Sequence, residues 1–148
     1  MRVVVQRVKY SSCTIDGVVT GKCDKGFMLL IGFKTTDTLR ELEKCAKKVS
    51  GLRIFEDENG KMNQSLKDVS GTILAISQFT LYADCKHGNR PGFSDAMEFH
   101  KASEYYDLFV KMLRDMDFHV EVGIFGADMK IELLNDGPVT ILLDTDNL

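Results

Sequence analysis

Two short segments carry residues whose types and order could do chemistry. Ser77-Gln78-Phe79-Thr80-Leu81-Tyr82 follows the apolar run Ile73-Leu74-Ala75-Ile76, and Asn135-Asp136-Gly137-Pro138-Val139-Thr140 lies between two hydrophobic runs near the C-terminus. Main-chain N–H groups at strand ends are a common source of oxyanion holes. Ser77 to Thr80 could therefore stabilise a developing negative charge, with Gln78 and Thr80 fixing the substrate. The same residues also fit the end of a buried strand, with the polar side chains outward and Phe79 inward. Gly137-Pro138 reads as a tight turn before a strand, where proline is ordinary punctuation. Trans is the default there, since only about 5–6% of X-Pro bonds are cis. A cis bond would turn two carbonyls outward as a rigid shelf, and glycine, without a Cβ, would let a ligand approach it closely.

Other chemistries fit the chain less well. A serine triad needs a histidine base and an acid, yet His87, His100 and His119 belong to no triad signature and Gly-x-Ser-x-Gly is absent. No cysteine has a nucleophile motif around it. Metal-ligand spacing is missing, and Glu56-Asp57-Glu58 reads as a solvated turn, so neither metal nor other cofactor is expected. Arg7 interrupts the first strand with a planar multidentate donor suited to a backbone carbonyl. The basic loop Lys86-His87-Gly88-Asn89-Arg90-Pro91 is either a phosphate grip through Lys86 and Arg90 or a solvated loop.

The elements that must position these residues follow from pattern. At 148 residues the chain is expected to form one domain, 1–148, with 44% hydrophobic and 28% charged residues, a globular composition. Val3-Val4-Val5 opens a strand, Asp16-Gly17 turns a hairpin, and Phe27 to Ile31 is a strand apolar on both faces. A helix capped by Thr36 or Asp37 carries Leu39, Leu42, Ala46 and Val49 on one face and is closed by Gly51 as the residue beyond its C-cap. A short strand at Arg53-Ile54-Phe55 leads to a turn at Asp57 to Gly60, and a longer strand spans 72–82. A second helix from Glu98 to Met116 presents Ala102, Tyr105, Tyr106, Phe109, Val110, Leu113 and Met116 as an apolar stripe. Strands at 119–123, 127–134 and 138–143 complete an α+β chain with a largely antiparallel, barrel-like sheet and two main helices.

Charge and cysteines narrow the partners and the compartment. A net charge of −3 opposes electrostatic wrapping of a duplex, so DNA is not expected as a partner. No apolar stretch is long enough to span a bilayer, and Met1-Arg2 leads straight into a strand, which suggests a cytoplasmic protein. The four cysteines, Cys13, Cys23, Cys45 and Cys85, form no Cys-x-x-Cys pair. A two-residue turn at Asp16-Gly17 places Cys13 opposite Thr20 rather than Cys23, so reduced, mostly buried thiols are expected.

Along its length the chain resembles the D-aminoacyl-tRNA deacylase family. The resemblance rests on Gln6-Arg7-Val8, Gly51 to Phe55, Gly60-Lys61-Met62-Asn63, Ser77 to Leu81, Asn89-Arg90-Pro91, Phe125-Gly126-Ala127-Asp128-Met129 and Asn135 to Thr140. Gly92 departs from the pattern, which has serine after Arg-Pro. The resemblance implies a homodimer acting on aminoacyl-tRNA at its 3′-terminal adenosine, with the sites at the subunit interface. It implies that Gly137-Pro138 is cis and enters the partner's site, where its main chain excludes an L side chain, while Arg7 holds the segment. Thr80 and Gln78 become the catalytic pair, and Ser77, Phe79, Phe125 and Met129 join the substrate-binding residues. Water attack assisted by the 2′-hydroxyl of the RNA fits better than a threonine nucleophile, because no base is present to activate Thr80. Two other readings compete: a non-catalytic dimeric module binding RNA ends or a protein, and a hydrolase of small D-amino-acid esters needing no RNA.

Overall fold

A computed structural model describes residues 1–148. Its organising strand is β1 (Arg2–Ile15), long enough to pair along both edges. On one edge its first half runs antiparallel to β3 (Gly26–Gly32), and its second half to β2 (Val18–Cys23). The other edge pairs almost end to end with β8 (Lys130–Asp144). Beyond β3 come β6 (Thr72–Ser77) and β7 (Val120–Val122), each parallel to its neighbour. The sheet is therefore mixed, with the three pairings made by β1 antiparallel, as expected for most of the sheet, and the two beyond β3 parallel. The chain from β3 to β6 passes through α1 (Leu39–Gly51) and the small hairpin of β4 (Phe55–Glu56) and β5 (Met62–Gln64), and such a long crossover suits a parallel return.

The sheet curls nearly into a barrel. Gly21 of β2 lies so close to β7 that an added Cβ would stand 2.4 Å from the Val122 carbonyl oxygen. The Lys22 N–H donates to Glu121 across the same seam. Six buried residues, among them Val8, Met28 and Leu74, fill the inside of the curl. The larger core, 26 buried residues, lies between the opposite sheet face and the two helices, α1 and α2 (Phe99–Asp115). The α2 stripe falls as its spacing requires: Ala102, Tyr106, Phe109, Val110 and Leu113 are buried, while Tyr105 and, just past the helix, Met116 are partly buried against the same core. Tyr106 donates to the Ala75 carbonyl at 2.6 Å, tying α2 to the centre of β6.

Several local expectations change. Thr38, not Thr36 or Asp37, caps α1, and it forms a reciprocal capping box with Glu41. Asp37 is buried instead, accepting from the Met1 ammonium at 2.7 Å and from the Lys34 N–H at 2.7 Å. Gly51 is the last helical residue and keeps an ordinary φ, with Leu52 following as the cap. The short strand begins at Phe55 rather than Arg53. The strand expected over 72–82 stops at Ser77, where its partner β3 runs out; Gln78 N–H makes the final bond, to Ile31, and Phe79–Tyr82 turn into one 3-10 turn.

The two C-terminal strands are one. Gly137-Pro138 is not a hairpin turn but a bulge inside β8, because both halves of β8 pair with β1: Val8 faces Asn135 and Gln6 faces Thr140. Cys13 pairs with Gly21, one place beyond Thr20, across a bulge in β1. All four cysteines are free, and only Cys85 is exposed. Burial pushes the Cys23 thiol up, and the Cys45 thiol up to about 12. No helix is long and apolar enough to cross a membrane.

Phe109 is completely buried where α2 meets the sheet. Phe109→Ala is expected to cost about 3–5 kcal/mol. Urea unfolding checks this, and a loss below about 1 kcal/mol would contradict that packing.

Candidate active site

The abrupt end of β6 creates the site. Past Ser77 the chain leaves the sheet, and the 3-10 turn leaves the main-chain N–H groups of Phe79 and Thr80 without any backbone or side-chain acceptor. Phe79 does not point inward as a strand residue would; 55% of it is exposed. Gln78 reaches forward and donates through Nε2 to the Thr80 hydroxyl, so the two polar side chains are locked together. Gly32 makes this possible, since a Cβ there would lie 2.8 Å from the Gln78 carbonyl oxygen.

Ser77, Gln78 and Phe79 form one wall of a cavity of about 540 Å³. Phe125 and Met129, from the segment joining β7 to β8, form another. Five residues singled out in the sequence thus meet around one space, with Thr80 next to it through Gln78. The lining is mostly hydrophobic. Its aromatic rings brace one another: Phe99 packs edge-on to Phe125 at 5.0 Å, and Phe93 to Phe79 at 4.9 Å. Gly126, with φ of +80°, permits the close approach, because a Cβ would stand 2.7 Å from the Phe99 ring.

Phe99, Met97 and Gly126 are site residues that sequence reasoning missed. Phe99 opens α2 and reads as an ordinary helix start. Only the aromatic-glycine run at 125–126 hinted at a wall needing a partner. The one carboxylate in the lining, Asp128, is exposed and pairs with Lys130 at 3.1 Å. Nowhere do three His, Cys, Asp or Glu side chains converge as metal ligands.

Arg7, Gly137 and Pro138 form a separate cluster outside this cavity. Residues 136 to 139 of β8 oppose Arg7 alone, and the extra length bulges outward. The buried Arg7 guanidinium stabilises the bulge. Its Nε donates to the Asp136 carbonyl at 2.9 Å and its Nη1 to the Ile54 carbonyl at 2.7 Å. Asn135 completes the frame, accepting the Val139 N–H at 2.8 Å and donating to the Thr140 hydroxyl. The Gly137–Pro138 bond is cis, and both residues are exposed. At Gly137, φ is +138° and a Cβ would stand 2.8 Å from Val139 Cγ2 and 3.0 Å from Arg7 Nη2. The departure at Gly92 is sterically harmless, as a Cβ there meets only the Asp84 carbonyl oxygen at 3.9 Å.

A curled mixed sheet with two helices holds main-chain donors beside an aromatic-walled cavity with no side-chain triad, an arrangement chemically able to polarise an ester carbonyl. Residues 4–144 match the family described as D-Tyr-tRNA(Tyr) deacylase, and the chain belongs to that family. It is 55% identical to the D-aminoacyl-tRNA deacylase of Lactobacillus gasseri, over 97% of this chain and 99% of that one. The D-aminoacyl-tRNA deacylase of Clostridium novyi is 50% identical, over 98% and 97%. Among solved structures, one described as c-Myc DNA Unwinding Element Binding Protein superposes with a TM-score of 0.91 at 40% identity, covering 97% of this chain and 98% of that one. A probable eukaryotic D-amino acid tRNA deacylase shares the fold at a TM-score of 0.81 and 19% identity, covering 96% and 97%.

Removing the Arg7 head group strips one buried and one partly buried carbonyl of their charged donor, at about 1.5–3 kcal/mol per bond. Arg7→Leu is therefore expected to lower unfolding stability by about 3 kcal/mol or more. Arg7→Lys should restore little of it, since one ammonium on a flexible stem does not reproduce the planar fork. Full stability in Arg7→Leu by thermal or urea unfolding would rule out this bracing role.

Proposed function

We propose that the chain hydrolyses the ester joining a D-amino acid to the 3′ end of tRNA, with the acyl group and terminal adenosine held in the cavity beside Phe79. The observation that carries this reading is the pair of unengaged N–H groups, on Phe79 and Thr80, beside that cavity. They are suited to receive the carbonyl oxygen as it becomes an oxyanion. Water attacks the carbonyl carbon, assisted by the 2′-hydroxyl of the ribose. The bond to the 3′-oxygen breaks, that oxygen takes up a proton, and free amino acid and intact tRNA leave. Thr80, held by Gln78, positions the ester rather than attacking it, since no base lies near its hydroxyl. Ser77, Phe125 and Met129 shape the pocket around the acyl-adenosine.

Chirality is selected by exclusion. The protein acts as a homodimer of single-domain subunits, and the Gly137-Pro138 segment of one subunit enters the cavity of the other. Its main chain occupies the space an L side chain would need, a D side chain points away, and glycine has none to exclude. Two features support this arrangement: the segment is exposed and outside its own subunit's cavity, and Arg7 fixes its position. The net charge of −3 favours engagement of the RNA end over a duplex, DNA included. Charged tRNA places the work in the cytoplasm.

Purified protein without added metal is expected to deacylate D-Tyr-tRNA and Gly-tRNA and to spare L-Tyr-tRNA. No hydrolysis of any of the three by folded dimer would sink the reading and bring forward a non-catalytic RNA-end or protein-binding module. Thr80→Ala should lose about tenfold or less in kcat, the scale of one neutral hydrogen bond. Abolished turnover with substrate affinity intact would instead make Thr80 the nucleophile.

A further inference from the structure

We infer that the loop from Asp84 to Gly92, with the groove at its base, binds the backbone phosphates of the single-stranded 3′ end of tRNA. This rests on the deacylase reading above and assigns the part of the substrate that lies beyond the acyl-adenosine. The loop leaves the 3-10 turn at Ala83, so it grows directly out of the segment carrying Gln78 and Thr80. Two backbone bonds between Asp84 and Gly92, at 2.7 and 2.9 Å, close it. Inside, the Asp84 carboxylate accepts the Lys86 N–H at 2.9 Å, Gly88 turns with φ of +68°, and Pro91 fixes the exit. On the far stem Phe93 packs against Phe79. The loop is thus framed at both ends by the active-site turn.

Its charges are unspent. Lys86, His87 and Arg90 are exposed, and none takes part in any ion pair of the molecule. In a chain of net charge −3, such a cluster beside the proposed ester site is a local exception. Beneath the loop runs a polar groove of about 410 Å³, lined by Arg2, Lys34, Tyr82 and Lys86 and by three aspartates, Asp84, Asp95 and Asp146. Two of those aspartates are already engaged, Asp146 with Lys34 at 3.2 Å and Asp84 with the Lys86 N–H. Arg2 binds Asp144 through Nε and the Leu81 carbonyl through Nη1, and its Nη2 has no protein partner.

Tyr82, one of the residues that line the groove, also carries the molecule's single buried side-chain polar atom without a hydrogen bond, its hydroxyl. Tyr82 is only 6% exposed, and the Arg2 guanidinium lies over its ring at 4.6 Å. Burial pushes the phenol up, so it stays a protonated donor. A half-free guanidinium and an unpaired lysine at the groove, with Arg90 and His87 on the loop above it, suit a multivalent oxyanion. In the proposed complex the phosphates nearest the ester follow the terminal ribose at single-nucleotide spacing, within reach of an element adjoining the ester site.

The test compares wild type, the Lys86→Ala/Arg90→Ala double variant and Lys86→Arg on two substrates. D-Tyr-tRNA carries the phosphates, and 3′-O-D-tyrosyl-adenosine carries none. In the double variant, KM for D-Tyr-tRNA should rise about tenfold or more, with the loss in KM rather than kcat. The slope of log affinity against log salt should shrink by roughly 1.4, at about 0.7 for each single-strand phosphate no longer neutralised. KM for the adenosine ester should match the wild type, and Lys86→Arg should keep wild-type behaviour on both. An unchanged KM and salt slope on D-Tyr-tRNA would overturn the inference and leave the deacylase reading standing. So would an equal loss on the adenosine ester, which would place the effect in the active-site turn. If wild type hydrolyses neither substrate, the deacylase reading itself fails and takes this inference with it.

Discussion

One buried guanidinium holds together parts of the chain that are far apart in sequence. Arg7 sits mid-strand, where an apolar residue would pack without cost, and binds carbonyls of Ile54 and Asp136 instead. Burying such a charge is unfavourable unless it is compensated by hydrogen bonds, and here two carbonyls supply them. They join the entry to the β4–β5 hairpin to the bulge in β8. Across the ladder only Arg7 faces the residues between Asn135 and Thr140, so apart from the Asn135 side chain its bonds are what fix their path. The bulge is therefore a property of Arg7 as much as of glycine and proline.

A second constraint acts at the other functional segment. β6 is parallel to β3 and ends where β3 ends, and the chain there has no further ladder to join. The 3-10 turn follows, and its first N–H groups, of Phe79 and Thr80, have no acceptor in the protein. Elsewhere in a fold, unpaired main-chain donors are avoided. Here they stand beside a cavity whose walls are aromatic rings fixed against one another, a setting in which a polarisable carbonyl oxygen is the natural acceptor.

How much of this was legible in the sequence depended on how local the cause was. The stripe on α2 and the apolar β3 strand follow from periodicity alone, and both fall where that places them. The end of β6 did not, because its cause is the length of a strand more than forty residues earlier. Asp37 has good capping chemistry, yet the Met1 ammonium claims it and Thr38 caps the helix. The turn signal in Asn135-Asp136-Gly137-Pro138 was real, but whether it ends a strand or bulges within one is decided by β1, which pairs with both sides. The aromatic brace of Phe99 on Phe125 had no short-range trace, since its two rings come from separate elements.

The free edge of β8 gives that bulge one further consequence. β8 is fifteen residues long and pairs with β1 along one side only, leaving a long row of unpaired backbone groups within the subunit. Such an edge invites strand-by-strand addition of other chains and, with it, aggregation. Pro138 offers no N–H to an incoming strand, and the outward excursion of residues 136 to 139 breaks the row into two short lengths. Charged side chains at Lys130 and Glu132 guard the first of these. The segment proposed to police the handedness of an amino acid also keeps the sheet from growing.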